Sequence, residues 1–189
     1  AVDAKAIAPA RGVGGTHAKT VLQAARALAA ASGDVQEIWL ASGTYTPGPA
    51  GARSMYFRPQ RGVSIRGGFV GTETDPSQRD PQAPPTILSG DLAGDDTPGL
   101  GNRSDNAYHV VNLRDTSERV ELDRLTISGG HADIEVNCSS EHSGGGLFTL
   151  HSDVQIRDCV VTDNAAYSGA GAGIQDGTKT RIYNSDFVA

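Results

Sequence analysis

One eight-residue pattern returns three times between residues 121 and 188, and it narrows the folds open to this chain more than any other feature. Glu121-Leu-Asp-Arg-Leu-Thr-Ile-Ser128 aligns with Gln155-Ile-Arg-Asp-Cys-Val-Val-Thr162 and with Arg181-Ile-Tyr-Asn-Ser-Asp-Phe-Val188. The apolar position near the start is Leu122, Ile156 and Ile182, and the one near the end is Ile127, Val161 and Phe187. The spacing is 156 − 122 = 34 and then 182 − 156 = 26 residues. Self-similarity at such a period is the mark of stacked structural units. A short strand whose inward residues recur, cut off by Gly, Asn and Asp turns, predicts a parallel β-solenoid.

The remainder of the chain can be placed around these repeats. Residues 1–17 are small, glycine-rich and aperiodic, and read as an extended lead-in. Over residues 20–32, Val21, Leu22, Ala25, Leu28 and Ala29 share one face at helical spacing, Thr20 and Gln23 form a capping box, and Gly33 ends the run. This predicts one amphipathic helix that covers the first coil. Strands are expected over residues 37–47 with a corner at Ser42-Gly43, then at 55–57, 63–65, 86–91, 108–113 and 120–122. Two glycine-led strands follow, at Gly144-Gly-Gly-Leu-Phe-Thr149 and Ala170-Gly-Ala-Gly-Ile-Gln175. Excursions over residues 71–85 and 92–106 carry Pro, Gly and Asp, and the first is expected to hold no regular structure; a third covers residues 131–143. The 24 glycines among 189 residues suit a chain that turns many tight corners. The whole reads as one domain of about four coils over residues 37–188. The Phe187 copy stops at Ala189, which suggests the N-terminal part of a longer chain.

A formal charge of −6 argues against nucleic acid as a partner. No apolar run approaches the roughly 20 residues of a membrane-spanning helix, so no membrane insertion is expected. The chain begins Ala1-Val2-Asp3, as a secreted protein does once its signal peptide has been removed; a trimmed boundary explains that start equally well. Cys138 and Cys159 lie 159 − 138 = 21 residues apart. They form either a disulfide between neighbouring coils or, at Cys159, a buried free thiol in the place of Leu125 and Ser185.

Several clusters carry chemistry. Asp91, Asp95, Asp96 and Asp105 could offer oxygen ligands to calcium, or form a solvated acidic loop; no other cofactor is indicated. His131, His142 and His151 fall in or beside one excursion, as metal or ligand contacts or as unrelated surface residues. Trp39, Tyr45, Tyr56 and Phe57 offer either a sugar-stacking face or core packing. Asn112, Asn164 and Asn184 read as corner asparagines that satisfy buried amides. Asp123, Asp158, Asp163 and Asp186 point outward among Arg124, Arg157 and Arg181, and read as a ladder of ion pairs before they read as catalytic acids.

The order of these pieces resembles right-handed parallel β-helix proteins of the pectin-lyase-like kind. It is similar, more narrowly, to bacterial secreted or surface proteins related to the polymorphic outer membrane proteins. The stretches that carry the resemblance are residues 37–47, 64–69, 86–91, 105–111 and 125–130. Gly144-Gly-Gly-Leu147, Gly171-Ala-Gly-Ile174 and Val161-Thr-Asp-Asn164 resemble altered forms of the family's tetrapeptide repeats. The resemblance implies an all-β, right-handed, single-stranded β-helix on a bacterial cell surface or outside the cell. Because such a fold hosts many activities, three functions follow as expectations. The first is a non-catalytic stalk or adhesin-like module whose corner loops contact surface glycans. The second is a polysaccharide lyase or glycoside hydrolase. The third is a self-assembling scaffold in which another chain stacks on the C-terminal coil.

Overall fold

The computed structural model describes residues 36–59, 62–135 and 142–188 together with the short strand Ile7–Ala8. The expected helix over residues 20–32, most of the lead-in and Cys138 lie outside the described residues. In chain order the strands are β1 (Ile7–Ala8), β2 (Glu37–Ala41), β3 (Gly43–Tyr45), β4 (Ser64–Phe69), β5 (Thr86–Ser89), β6 (Val111–Arg114), β7 (Val120–Asp123) and β8 (Thr126–Ser128). They continue as β9 (His131–Ala132), β10 (Leu147–Leu150), β11 (Asp153–Arg157), β12 (Val160–Thr162), β13 (Ala165–Ala166), β14 (Ala172–Gln175), β15 (Lys179–Tyr183) and β16 (Asp186–Phe187).

Every pairing between these strands is parallel. The first sheet runs β1-β2-β4-β7-β11-β15, the second β3-β5-β8-β12-β16, and the third β6-β10-β14. The chain therefore visits the same sheets in the same order as it advances, although the pass through β2 and β3 meets the third sheet only at Phe57, which bridges to Val111. Spacing in the repeat sets the register. Gln155 pairs with both Glu121 and Arg181, Ile156 with Leu122 and Ile182, and Val161 with Ile127 and Phe187. An inward residue in one pass thus sits on an inward residue of the next, and together they fill one continuous core. Leu122, Ile127, Ile156 and Val161 are completely buried, whereas Ile182 and Phe187 on the edge strands are 46% and 40% exposed.

Corners recur as faithfully as strands. Arg124, Asp158 and Asn184 occupy one repeat position and all take the left-handed conformation, with φ of 53°, 51° and 45°. Asn164 satisfies the corner at the second sheet: it accepts from the Gly130 amide and donates to the Ile127 and Thr162 carbonyls. At Gly130 a side chain would collide with the Gly145 carbonyl, which explains a glycine there. Asn184 is exposed and bonds Asp158 instead, and Asn112 sits in β6, so the three asparagines serve separate places in the fold.

Some local expectations shift. The strand expected over residues 55–57 reduces to a single bridge from Phe57 to Val111. β4 runs on through Gly67 and Gly68 to Phe69, longer than the aliphatic pattern alone suggests. The excursion over residues 71–85, expected to lack regular structure, contains a 3-10 turn at Pro76–Gln78 capped by Asp75. A small fourth sheet, β9 with β13, forms at a corner where the alternation pattern predicts no strand.

Cys159 is a free, buried thiol that bonds the Leu122 and Arg157 carbonyls. Burial pushes its pKa up to about 12. The native chain should therefore resist alkylation at Cys159 at pH 8 and react once unfolded. Mass spectrometry of iodoacetamide-treated samples, with and without denaturant, checks this; fast native labelling at Cys159 would contradict the packing.

Candidate functional site

The outer face of the first sheet carries charges in pairs. Asp123, with 2% of its side chain exposed, lies 2.8 Å from the Arg79 guanidinium and 4.0 Å from that of Arg66. Arg66 also meets Glu37 at 2.9 Å. Arg79 reaches Asp123 from the excursion that follows β4, and lies over the Phe69 ring, which in turn stacks on Trp39. One pass further on, Asp153 is held by Arg119 and Arg181, and Glu121 by Arg157. These acids are occupied by arginines rather than gathered around an open space, but the pairs are not those of the expected ladder. Arg157 and Arg181 pair with Glu121 and Asp153, Arg124 donates to the Pro81 carbonyl, Asp158 accepts from Asn184, and no arginine among the described residues pairs with Asp158, Asp163 or Asp186.

Burial works to raise the Asp153 carboxyl, but the hydrogen bonds and charges of Arg119 and Arg181 outweigh it and leave it below its ordinary value. A lowered folded value contributes stability above the unfolded carboxylate value, about 3.9. That contribution is lost as pH falls through the folded value. Asp153→Asn should therefore be less stable than the wild type at pH 7, with the gap closing as pH falls through that range. Urea melts at several pH values check the sign.

The acidic loop is partly as expected. Asp91, Asp95 and Asp96 bring carboxylate oxygens within 4.8 Å of one another, so these three could hold a cation; Asp105 is not part of that group. Both Asp91 oxygens are already engaged, accepting from the Gly94, Asp95 and Asp96 amides. Arg103 lies 3.7 Å from Asp96, and Asn106 donates to the same Asp96 carboxylate. Burial raises the Asp96 pKa. Calcium prefers six to eight oxygen ligands, and the loop's own hydrogen bonds fit a self-capped turn better than such a shell. Melting the chain in calcium and in chelator should give the same midpoint; a rise with calcium that Asp91→Asn abolishes would place the ion here.

The aromatic and histidine candidates separate. Tyr45 is 1% exposed and donates to the Ala41 carbonyl, with burial pushing its hydroxyl up to about 12. Trp39 is 8% exposed and its indole N–H donates to Glu37. Both serve packing, and neither presents a face to a sugar. His131 bonds the Arg103 carbonyl, His142 stacks on Tyr167, and His151 faces Asp115 at 3.4 Å, so each has its own partner.

Tyr56 has a different setting. It lines a cleft of about 310 Å³ with Arg53, Tyr108, His109, Asn112 and Arg114. The loop after β3 forms one wall, and the segment leading into β6, with β6 itself, forms the other. Arg53 ties the walls together, bonding the Asn106 and His131 carbonyls and pairing with Asp133 at 2.7 Å. Its guanidinium lies over the Tyr108 ring, 4.3 Å from the centroid. His109 is buried, with its Nδ1 on the Gly144 carbonyl and its ring against Phe148. Asn112 and Arg114 alternate outward along β6, and this period of two is the one sequence signal that could have flagged them. That Arg53 and Tyr56 face them depends on Phe57 bridging to Val111, a separation of 111 − 57 = 54 positions.

No protein-family model matches this chain, and no curated protein or solved structure matches it either. Among the described residues no helix is long and apolar enough to cross a membrane.

Proposed function

We propose that the chain is a right-handed parallel β-helix module of the pectin-lyase-like kind, extracellular or on a bacterial surface, and non-catalytic. Its corner-loop cleft contacts surface glycans. The observation that carries this reading is the pairing of the outward acids on the first sheet. Asp123, Asp153, Glu121 and Glu37 each meet an arginine, whereas hydrolysis of a glycosidic bond needs two carboxyls set across it. The cleft, by contrast, offers aromatic planes beside hydrogen-bonding groups, the mixture that suits a sugar ring. A glycan array probed with the wild type and with the Tyr56→Ala/Tyr108→Ala double variant tests the reading. Binding that disappears in the variant supports it. Release of reducing ends or unsaturated products from polysaccharides would overturn it in favour of a lyase or hydrolase.

A second reading, assembly through stacked ends, is favoured by the apolar edge at Ile174, Ile182, Phe187 and Val188, which are 47%, 46%, 40% and 54% exposed. Light scattering over a wide concentration range tests it. A mass that climbs with concentration supports assembly, and a constant monomer mass removes it.

A further inference from the structure

The cleft is basic on an acidic protein. Arg53, Arg58 and Arg114 lie in or beside it on a chain of net charge −6. The three do different work. Arg53 spends its donors on two carbonyls and Asp133, and so acts as a strut. Arg58 is exposed and reaches the Arg114 carbonyl, so it adds positive potential at the rim. Arg114 is held in another way. Its Nε donates to Asn112 Oδ1, and its guanidinium lies over the Phe148 ring, 4.7 Å from the centroid. Asn112 and Phe148 are both buried and are partners in register between β6 and β10. The guanidinium is therefore fixed from one edge and one face, and its terminal nitrogens meet no carboxylate among the described residues. A planar fork held in this way is organised in advance for an anion with two or three oxygens.

We propose that this cleft takes a saccharide bearing one anionic group, a carboxylate or a sulfate ester, with Arg114 receiving the anion while Tyr56 and Tyr108 flank the ring. The inference rests on reading the cleft as a glycan contact, and adds the charge of the ligand. An anion there gains from the Arg114 guanidinium, and the tyrosine planes cover the apolar face of the sugar. Salt weakens such an interaction because the cleft is open to solvent.

The test uses one lactose core in three forms: lactose, 3′-sialyllactose and 3′-sulfolactose. Each is titrated into the whole chain by calorimetry at low and at high salt, alongside the glycan array. At least one anionic form should bind about ten-fold or more tightly than lactose, and lose affinity in salt. Arg114→Gln should reduce that affinity at least about ten-fold, and Arg114→Lys less, while far-UV spectra and melting midpoints show both variants folded. The two anionic forms separate the sources of charge. If lactose binds as tightly and Arg114→Gln changes nothing, the charge inference falls while the glycan-contact reading stands. If the array and all three sugars give no binding, both fall. Binding that survives both Arg114→Gln and the double tyrosine variant places the glycan elsewhere and overturns the assignment of this cleft.

Discussion

Asp123→Ala should lower the unfolding free energy by about 3–5 kcal/mol, the usual effect of removing one partner from a buried ion pair. The effect arises from what remains behind. Arg79 and Arg66 have 18% and 23% of their side chains exposed, and both lose their shared counter-ion. Arg79 also anchors the excursion over residues 71–85 to the first sheet and donates to the Gly67 carbonyl. The variant should therefore expose that excursion to proteolysis as well as shift the urea midpoint. Replacing Asp123 and Arg79 together by apolar residues of similar volume should recover part of the loss, because the cost is that of an uncompensated charge. A loss below about 1 kcal/mol for Asp123→Ala would mean that solvent screens these groups as it does a surface pair.

Ile156→Ala and Ile182→Ala form a matched comparison at one repeat position. Ile156 is completely buried between Leu122 and Ile182, and its truncation should cost about 2–5 kcal/mol through lost transfer energy and the cavity left in the core. Ile182 lies in the same register one pass later but is 46% exposed. Its truncation removes less buried surface and leaves no enclosed cavity, so about 1 kcal/mol or less is expected. Urea melts of both variants measure the difference. Equal losses would show that the C-terminal edge is covered in solution, and would support the assembly reading.

The second of these experiments rests on a part of the fold that was legible in the sequence. Aligning Leu122, Ile156 and Ile182 is enough to assign strand register, because parallel stacking places like residues over like. The acid–arginine pairs were not legible: Asp123 is met by Arg79, which comes from an excursion outside the repeat, and not by the neighbouring Arg124. Nor was the cleft. Asn112 and Arg114 lie in or beside an expected strand, and Tyr56 was one of several aromatic candidates, yet nothing local brings Arg53 beside Tyr108. That contact depends on how a long corner excursion folds back, and such loops carry no repeat to constrain them. Trp39 and Tyr45 illustrate the converse: side chains suited to sugar stacking are equally suited to filling a core and to covering a sheet. Asp105 lies in the same acidic stretch as Asp91, but the turn capped by Asp91 draws in Asp95 and Asp96 and leaves it outside the group.

The unequal spacing of the repeats, 34 residues from Leu122 to Ile156 and 26 from Ile156 to Ile182, leaves the pairing of β7, β11 and β15 undisturbed. Length added at a corner is thus absorbed without moving a single paired residue in the strands on either side. Such corners behave as interchangeable sockets: a segment can be lengthened, shortened or transplanted from one pass to another while the scaffold beneath keeps its dimensions. A lineage, or an engineer, can therefore change what this surface grips in a single insertion and leave the stability of the stack to be settled elsewhere.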